Sequence, residues 1–149
     1  MSRAASLSAL ALVGVCACSP PDGAQTALTA TARAVAELDA HMALIYEAAA
    51  HRALDESSTR EEYDRAMAPF NALEEALRGS RFALLASQEA LNVWRDEGGS
   101  EASFAARLPA LAGALRAVLD HLRDLDVEIP AALTDALGLV EALGGTNGG

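Results

Sequence analysis

The two cysteines of the chain, Cys16 and Cys18, lie two residues apart near the N-terminus. A thiol can bind a metal, form a disulfide or accept a covalent modification. Two thiolates fall short of the four ligands of a structural zinc site, and no histidine lies within a dozen residues of them. A disulfide between them would close a very small, strained loop. Covalent modification is therefore the chemistry that this spacing favours.

Glutamate and histidine also recur at helical spacing. Glu37 precedes His41 by four residues and Glu47 precedes His51 by four, so each pair shares one face of a helix. The sequence lacks the Glu-x-x-His pattern of di-iron bundles and the haem attachment sequence Cys-x-x-Cys-His. His41 and His51 would lie about 80° out of alignment on a helix and do not converge. We expect solvated ion pairs here and no metal site.

Four further residues invite a chemical interpretation. His121 follows Asp120, and we expect a histidine at the edge of the core with acidic neighbours. Trp94 could anchor a ligand, but it falls on the apolar repeat described below, which favours a core position. Ser80 and Ser87 also fall on that repeat, where small side chains favour close helix packing. No Gly-x-Ser-x-Gly motif is present, and we expect no catalytic residue and no cofactor.

The composition excludes several classes of function. The chain has 149 residues, of which 52% are apolar and 4% aromatic, so one domain with an aliphatic core is expected. All 11 basic residues are arginine. The lysine required by a P-loop, a Schiff base or a Ser-x-x-Lys site is therefore absent, and we do not expect an enzyme. The formal net charge of −10 would be repelled by phosphate backbones, so nucleic acid is not an expected partner.

The N-terminal residues have the layout of a secretory signal. Arg3 is followed by an apolar run over residues 4–18, interrupted only by two serines and one glycine, and then by Ser19 and two prolines. At about 1.5 Å per residue this run would reach about 22 Å, short of the roughly 30 Å of a hydrocarbon core. Export with cleavage is therefore favoured over a membrane-spanning helix.

The stretch Val15-Cys16-Ala17-Cys18 resembles the lipobox of bacterial lipoproteins, in which an apolar tract ends in the cysteine that becomes the lipidated first residue. Val15 stands where leucine is commoner, and Cys16 is unusual at the middle position. Cys16 is a poorer acceptor because bulky Val15 precedes it where the family has Gly, Ala or Ser. The resemblance covers residues 1–18. It implies a signal peptide over residues 1–17 and a palmitate-type lipid on Cys18; ordinary cleavage without a lipid is the alternative.

The remaining sequence predicts an all-α fold. After a linker over residues 18–23, apolar or small residues alternate at spacings of three and four from Leu28 to Ala49, which predicts a first helix from about Ala24 to Asp55. Ser58 and Thr59 are each followed three residues later by glutamate, a capping-box pattern that begins a second helix. Its apolar repeat consists of Tyr63, Ala66, Phe70, Leu73, Leu77, Ser80, Leu84, Ser87, Leu91 and Trp94. The repeat passes Pro69 and Gly79 without a phase shift, which predicts one continuous helix to Glu97.

Two more helices follow. Ser100 and Ser103 can cap a third helix whose repeat runs from Phe104 to Leu125, and Pro109 can split off its first turns. Pro130 begins a short fourth helix that ends near Leu143, and residues 145–149 form a disordered tail. Short connections imply antiparallel neighbours. The prediction is an antiparallel, coiled-coil-like bundle over residues 24–144, with three long helices and a short C-terminal one.

Together these observations predict a lipid-anchored lipoprotein of the cell envelope. Its acidic bundle would act as a structural or protein-interaction module through the exposed side of the first two helices, with an envelope protein as partner and the membrane bound through the anchor. The bundle would lie in the periplasm, or outside the cell in an organism with a single membrane. Ser19 after Cys18, in place of Asp, resembles the signature of lipoproteins sorted to the periplasmic face of an outer membrane where one exists. Two alternatives stay open: a periplasmic bundle that binds lipid or haem in an apolar channel, and a prophage-type envelope or lysis lipoprotein.

Overall fold

A computed structural model describes residues 20–145 of the chain. The predicted signal peptide, the predicted anchor Cys18 and residues 146–149 of the predicted tail lie outside this part. The described residues form helices and connecting loops without a strand, which confirms the all-α prediction. The helices are α1 (Pro20–Glu56), α2 (Arg60–Asp96), α3 (Glu101–Ala105), α4 (Leu108–Asp124) and α5 (Ala131–Gly145).

Three long helices and one shorter helix pack as a bundle. The single turn of α3 lies between α2 and α4 in the chain. α1 packs against α2 and α5, and α4 also packs against α2 and α5. Helices that follow one another in the chain are therefore neighbours in space, while α1 and α4 lie diagonally opposite each other. This is the up-down arrangement that the short connections predict.

The N-terminal boundaries follow from capping chemistry. α1 begins at Pro20, earlier than the predicted Ala24, because the first turn of a helix needs no backbone donors and accepts both prolines. At the start of α2 the capping box is confirmed, with Thr59 as the N-cap. Its side chain accepts a hydrogen bond from the Glu62 amide, and the Glu62 carboxylate accepts from the amides of Ser58 and Thr59 at 2.8 and 3.1 Å.

The predicted third helix is split in two, as the position of Pro109 allows. Ser100 caps α3 by accepting from the amide of Ser103 at 3.1 Å. Ala106 and Arg107 separate α3 from α4, and Pro109 lies in the first turn of α4. α5 begins one residue later than predicted: Pro130 precedes it, and its carbonyl accepts from the Leu133 amide at 3.0 Å.

The core is aliphatic and is centred on α4. In addition to its predicted repeat, α4 buries Ala112 and Leu119, because it faces α2 and α5 at once. Trp94 packs at the edge of this core and stacks on Phe104, with 5.7 Å between ring centroids. The largest fully buried side chains are Leu28, Leu38, Met67, Leu73, Leu77, Leu91, Leu108, Leu111, Leu115, Leu122, Leu133 and Val118.

Three polar residues on the helix repeats are fully buried without loss of hydrogen bonds. The hydroxyls of Thr31, Ser80 and Ser87 each donate to a backbone carbonyl of the preceding turn at 2.8 Å. Because these side chains are short and internally satisfied, neighbouring helices can approach closely at their positions. Ser80 and Ser87 are thus buried on the repeat, where the sequence places them.

The hairpin formed by α1 and α2 extends beyond the four-helix part. α4 and α5 have 17 and 15 residues, against 37 in each of α1 and α2. In the distal segment of the hairpin, residues 46–70, the buried residues Ala53 and Met67 lie outside the main core cluster. Ala66, predicted on the repeat, is exposed. The prediction is wrong there because α2 buries only the side that faces α1, and that side carries Met67.

Gly79 inside α2 and Gly98 after its end provide a test of the continuity of this helix. Gly79 lies inside α2, where an added methyl group would meet nothing within 4 Å, whereas Gly98 beyond the helix has a φ of 74°. We expect Gly79→Ala to raise the free energy of unfolding by about 0.5–1 kcal/mol through lower backbone entropy of the unfolded chain. Gly98→Ala should lower it by about 1 kcal/mol, because a left-handed conformation disfavours a side chain. Urea titrations measure both, and changes of equal sign would contradict the structure.

Candidate functional site

The outward side of α1 carries exposed large aliphatic side chains among its charged residues. Leu44 and Leu54 are 67% and 63% exposed, and both lie off the buried repeat of α1. Exposed alanines lie on the same helix between and before them. We call this set the α1 face: Ala36, Ala40, Ala43, Leu44, Ala48 and Leu54. Glu47 and His51 are exposed at helix positions between Leu44 and Leu54, so the α1 face presents apolar and charged side chains together.

A groove of about 350 Å³ borders the α1 face, between α1 and α2. Its floor is apolar and is formed by Met42, Ala43 and Leu77. Its rim carries the hydroxyl of Tyr46 and four charged side chains, namely Asp39, Glu47, Glu74 and Arg81. The three carboxylates outnumber the single guanidinium, so the rim is acidic. A groove with an apolar floor and an acidic rim suits a partner that presents apolar and basic side chains together.

Two polar contacts join the helices across this groove. Arg81 donates a charged hydrogen bond to Asp39, and this hydrogen bond raises the pKa of the Arg81 guanidinium; desolvation opposes the rise, and the charges of Asp39 and Glu74 add to it. The Tyr46 hydroxyl donates to the amide oxygen of Asn71 at 3.1 Å. Both contacts link α1 to α2 near or beyond the end of the main core.

The other rim carboxylates interact within their own helices. Glu47 lies 3.9 Å from Nε2 of His51, and both side chains are mainly exposed. Glu74 lies 3.5 Å from Arg78. Exposed pairs of this kind contribute little to stability, so these side chains can reorient toward a ligand at small cost.

The structure separates the two predicted Glu–His pairs. Glu47 and His51 form the expected pair when the imidazole is protonated. His41 instead contacts the backbone carbonyl of Glu37 through Nδ1 at 2.8 Å, so an ion pair with the Glu37 carboxylate is not formed. The helical spacing was correct, but it could not distinguish a carboxylate from the main-chain carbonyl of the same residue.

The remaining chemical candidates stay apart from the groove. His121 is half-buried at the edge of the core, as predicted, while Asp120 pairs with Arg123 at 2.7 Å. Within residues 20–145, no group of three His, Cys, Asp or Glu side chains is arranged to hold a metal ion. Cys18 lies outside the described residues.

One helical stretch of the described chain, Glu101–Asp124, is long and apolar enough to span a membrane by length and composition, with a mean hydropathy of 1.3. Core helices of soluble proteins pass the same test. This stretch contains α3 and α4, and its residues Leu111, Leu115 and Leu122 are fully buried in the bundle. Core packing therefore accounts for its apolar character.

From the sequence, an interaction surface is predicted only as the exposed side of the first two helices. Leu44 and Leu54 carry a signal that would have sharpened this prediction, since they are the large aliphatic residues of α1 that fall off its repeat. The groove had no such signal, because its lining comes from two helices whose register is set by packing. No protein-family model matches the chain, and comparisons with curated proteins and with solved structures find no match.

The Asp39–Arg81 pair should couple the two helices measurably. Its side chains are 30% and 49% exposed, whereas those of Asp64 and Arg60, a pair within α2, are 64% and 93% exposed. A double-mutant cycle with alanine should give a coupling energy of about 0.5–1 kcal/mol for Asp39–Arg81 and at most about 0.3 kcal/mol for the Arg60–Asp64 control. Both coupling energies should decrease in about 1 M salt, because salt at this concentration screens exposed charges. Equal couplings would contradict the bridging role.

Proposed function

We propose that the chain is a lipoprotein of the cell envelope, whose acidic bundle binds another envelope protein through the α1 face and the adjoining groove. The proposal for the anchor is supported by the secretory layout of the N-terminus and by the lipobox-like stretch that ends at Cys18. The proposal for the bundle is supported chiefly by one observation: large apolar side chains are exposed on α1, in a chain that otherwise buries most of them.

The position of α1 relative to Cys18 fits an anchor. Only Ser19 separates Cys18 from Pro20, the first residue of α1. A lipid on Cys18 would thus be joined almost directly to a helix of 37 residues, about 55 Å long at 1.5 Å per residue. The turn between α1 and α2 would then lie at the far end of the bundle, and the α1 face would extend from its middle toward that end.

Electrostatics supports attachment through acyl chains alone. The chain has a net charge of −10, and removal of Arg3 with the signal makes the mature protein more acidic. Arg95 at the end of α2 contacts Gln25 near the start of α1, so Asp96 and Glu97 lie at the same end of the bundle as Pro20. Anionic head groups would repel this end. The bundle would therefore be held away from the membrane surface, and the α1 face would be accessible.

The filled interior favours this function over a ligand channel. Buried leucines and alanines from all four main helices form one continuous cluster, in which most side chains are 0–3% exposed. A lipid or haem in the bundle axis would have to displace these side chains. The groove between α1 and α2 is open to the surface, which suits contact with a macromolecule.

Lipid attachment is tested by labelled-palmitate incorporation and membrane fractionation. We expect label and membrane retention in the wild type and in Cys16→Ser, and loss of both in Cys18→Ser. In an organism with two membranes, Ser19 predicts recovery with the outer membrane. Loss of label in Cys16→Ser would move the anchor to Cys16, and absence of label in all three proteins would overturn the lipoprotein assignment.

The interaction surface is tested by photo-crosslinking in intact cells. A photoreactive residue placed at Leu44 or Leu54 should give an adduct with an envelope protein, because these side chains are exposed on the α1 face. Leu139 on α5 is 42% exposed and provides a matched control off this face. Adducts of equal yield from all three positions, or none from α1, would contradict the assignment.

A further inference from the structure

A second exposed apolar pair lies on α2. Phe82 and Leu85 are 67% and 60% exposed, and neither belongs to the core cluster. Their spacing of three residues places them on one side of the helix. The buried residues of α2, such as Leu77, Leu84 and Leu91, follow a different line along the helix. Phe82 and Leu85 are thus available to a partner that does not disturb the bundle.

Opposite charges flank this pair at equal distances. Arg78 lies four residues before Phe82, and Glu89 lies four residues after Leu85. At about 100° per residue, the four positions fall within an arc of about 60° on the helix. All four residues are exposed. We call them the α2 stripe; along the chain they read basic, apolar, apolar, acidic.

We infer that the α2 stripe is a self-association surface that binds the stripe of a second copy of this chain in antiparallel orientation. A two-fold axis midway between Phe82 and Leu85 places each Phe82 against Leu85 of the other copy. The same axis places each Arg78 against Glu89 of the other copy. This inference goes beyond the proposed function and does not depend on the anchor at Cys18.

The order of the charges selects this arrangement. Arg78 and Glu89 are separated by 11 residues, about 16 Å along the helix, so they cannot pair within one chain. An antiparallel pair of stripes brings them together twice, because a two-fold interface repeats every contact. A parallel pair in register would place arginine against arginine and glutamate against glutamate. The stripe is therefore complementary to itself only when the second copy is reversed.

The present partners of the two charged residues leave them free to make these contacts. Glu89 forms no ion pair within the described part of the chain. Arg78 lies 3.1 Å from Glu75 and 3.5 Å from Glu74, with 54% of its side chain exposed. A guanidinium has five N–H donors, so Arg78 can donate to a further carboxylate in addition to these two.

Charge-swap variants test the inference on the full-length chain in a non-ionic detergent. An interface centred on two apolar side chains per copy is small, so we expect a reversible dimer at concentrations on the order of 100 μM. Sedimentation equilibrium should show this dimer for the wild type. Arg78→Glu and Glu89→Arg should each weaken it at least about tenfold, because like charges then meet twice across the axis.

Mixing the two variants is the decisive measurement. In the mixed pair, Glu at position 78 of one copy meets Arg at position 89 of the other, and the second contact keeps its native residues, so both ion pairs are restored. Energy transfer between differently labelled copies should therefore report a heterodimer of about wild-type affinity. Glu37→Arg, which makes the same change of charge at an exposed site on α1, should leave the wild-type dimer unchanged.

Phe82→Ala removes the apolar centre of the stripe and should also abolish the dimer. Circular dichroism at about 222 nm, which reports helix content, checks that each variant stays folded. A wild type that is monomeric up to about 1 mM would overturn the inference, since this is about tenfold above the concentration at which the dimer is expected. A mixture of the two charge variants that associates no better than either one alone would overturn it as well.

Discussion

Aliphatic side chains have to fill the interior of this bundle, because only 4% of the residues are aromatic. A core of leucine and alanine excludes water only if the helices approach closely, and the rest of the structure depends on this constraint. Leu111, Leu115 and Leu122 of α4 lie fully buried against α2 and α5. Each buried leucine contributes about 2 kcal/mol through removal of apolar surface from water. Short, internally bonded hydroxyls at Thr31, Ser80 and Ser87 keep the helix repeats narrow enough for this packing.

The same packing determines which surfaces remain for function. α4 and α5 cover the two long helices only along part of their length, so the outer sides of α1 and α2 and the distal segment stay accessible. The α1 face and the α2 stripe occupy different helices, and the groove at Asp39 and Arg81 lies between α1 and α2. A partner on the α1 face and a second copy on the α2 stripe would therefore contact the same hairpin at separate places.

An anchor at the start of α1 would orient both surfaces. Because α1 runs from the anchored end to the far turn in one continuous helix, its outer side faces laterally along most of its length. Two upright bundles anchored in one membrane would hold their α2 helices parallel. The antiparallel contact between two α2 stripes therefore requires both bundles to tilt far from the upright orientation. The α2 stripe is small, since it spans residues 78–89, about three turns of helix.

Local sequence signals by themselves determined the helices of this protein. These signals depend on residues only three or four positions apart, so they can be recognised in the sequence directly. They are the capping box at Thr59, the uninterrupted repeat past Pro69 and Gly79, and the leucine repeat of α4. Only the tertiary structure decided which residues are buried in the distal segment, where the hairpin extends beyond the four-helix part. There Met67 is buried and Ala66 is exposed. The tertiary structure also decided that Asp39 meets Arg81 and that Tyr46 meets Asn71, because contacts between helices depend on their relative register and rotation. The physical reason is the sequence separation of the residues involved. A repeat of nearby residues encodes which side of its own helix is buried. A groove or a self-complementary surface is formed by the side chains that stay exposed after several helices have packed together.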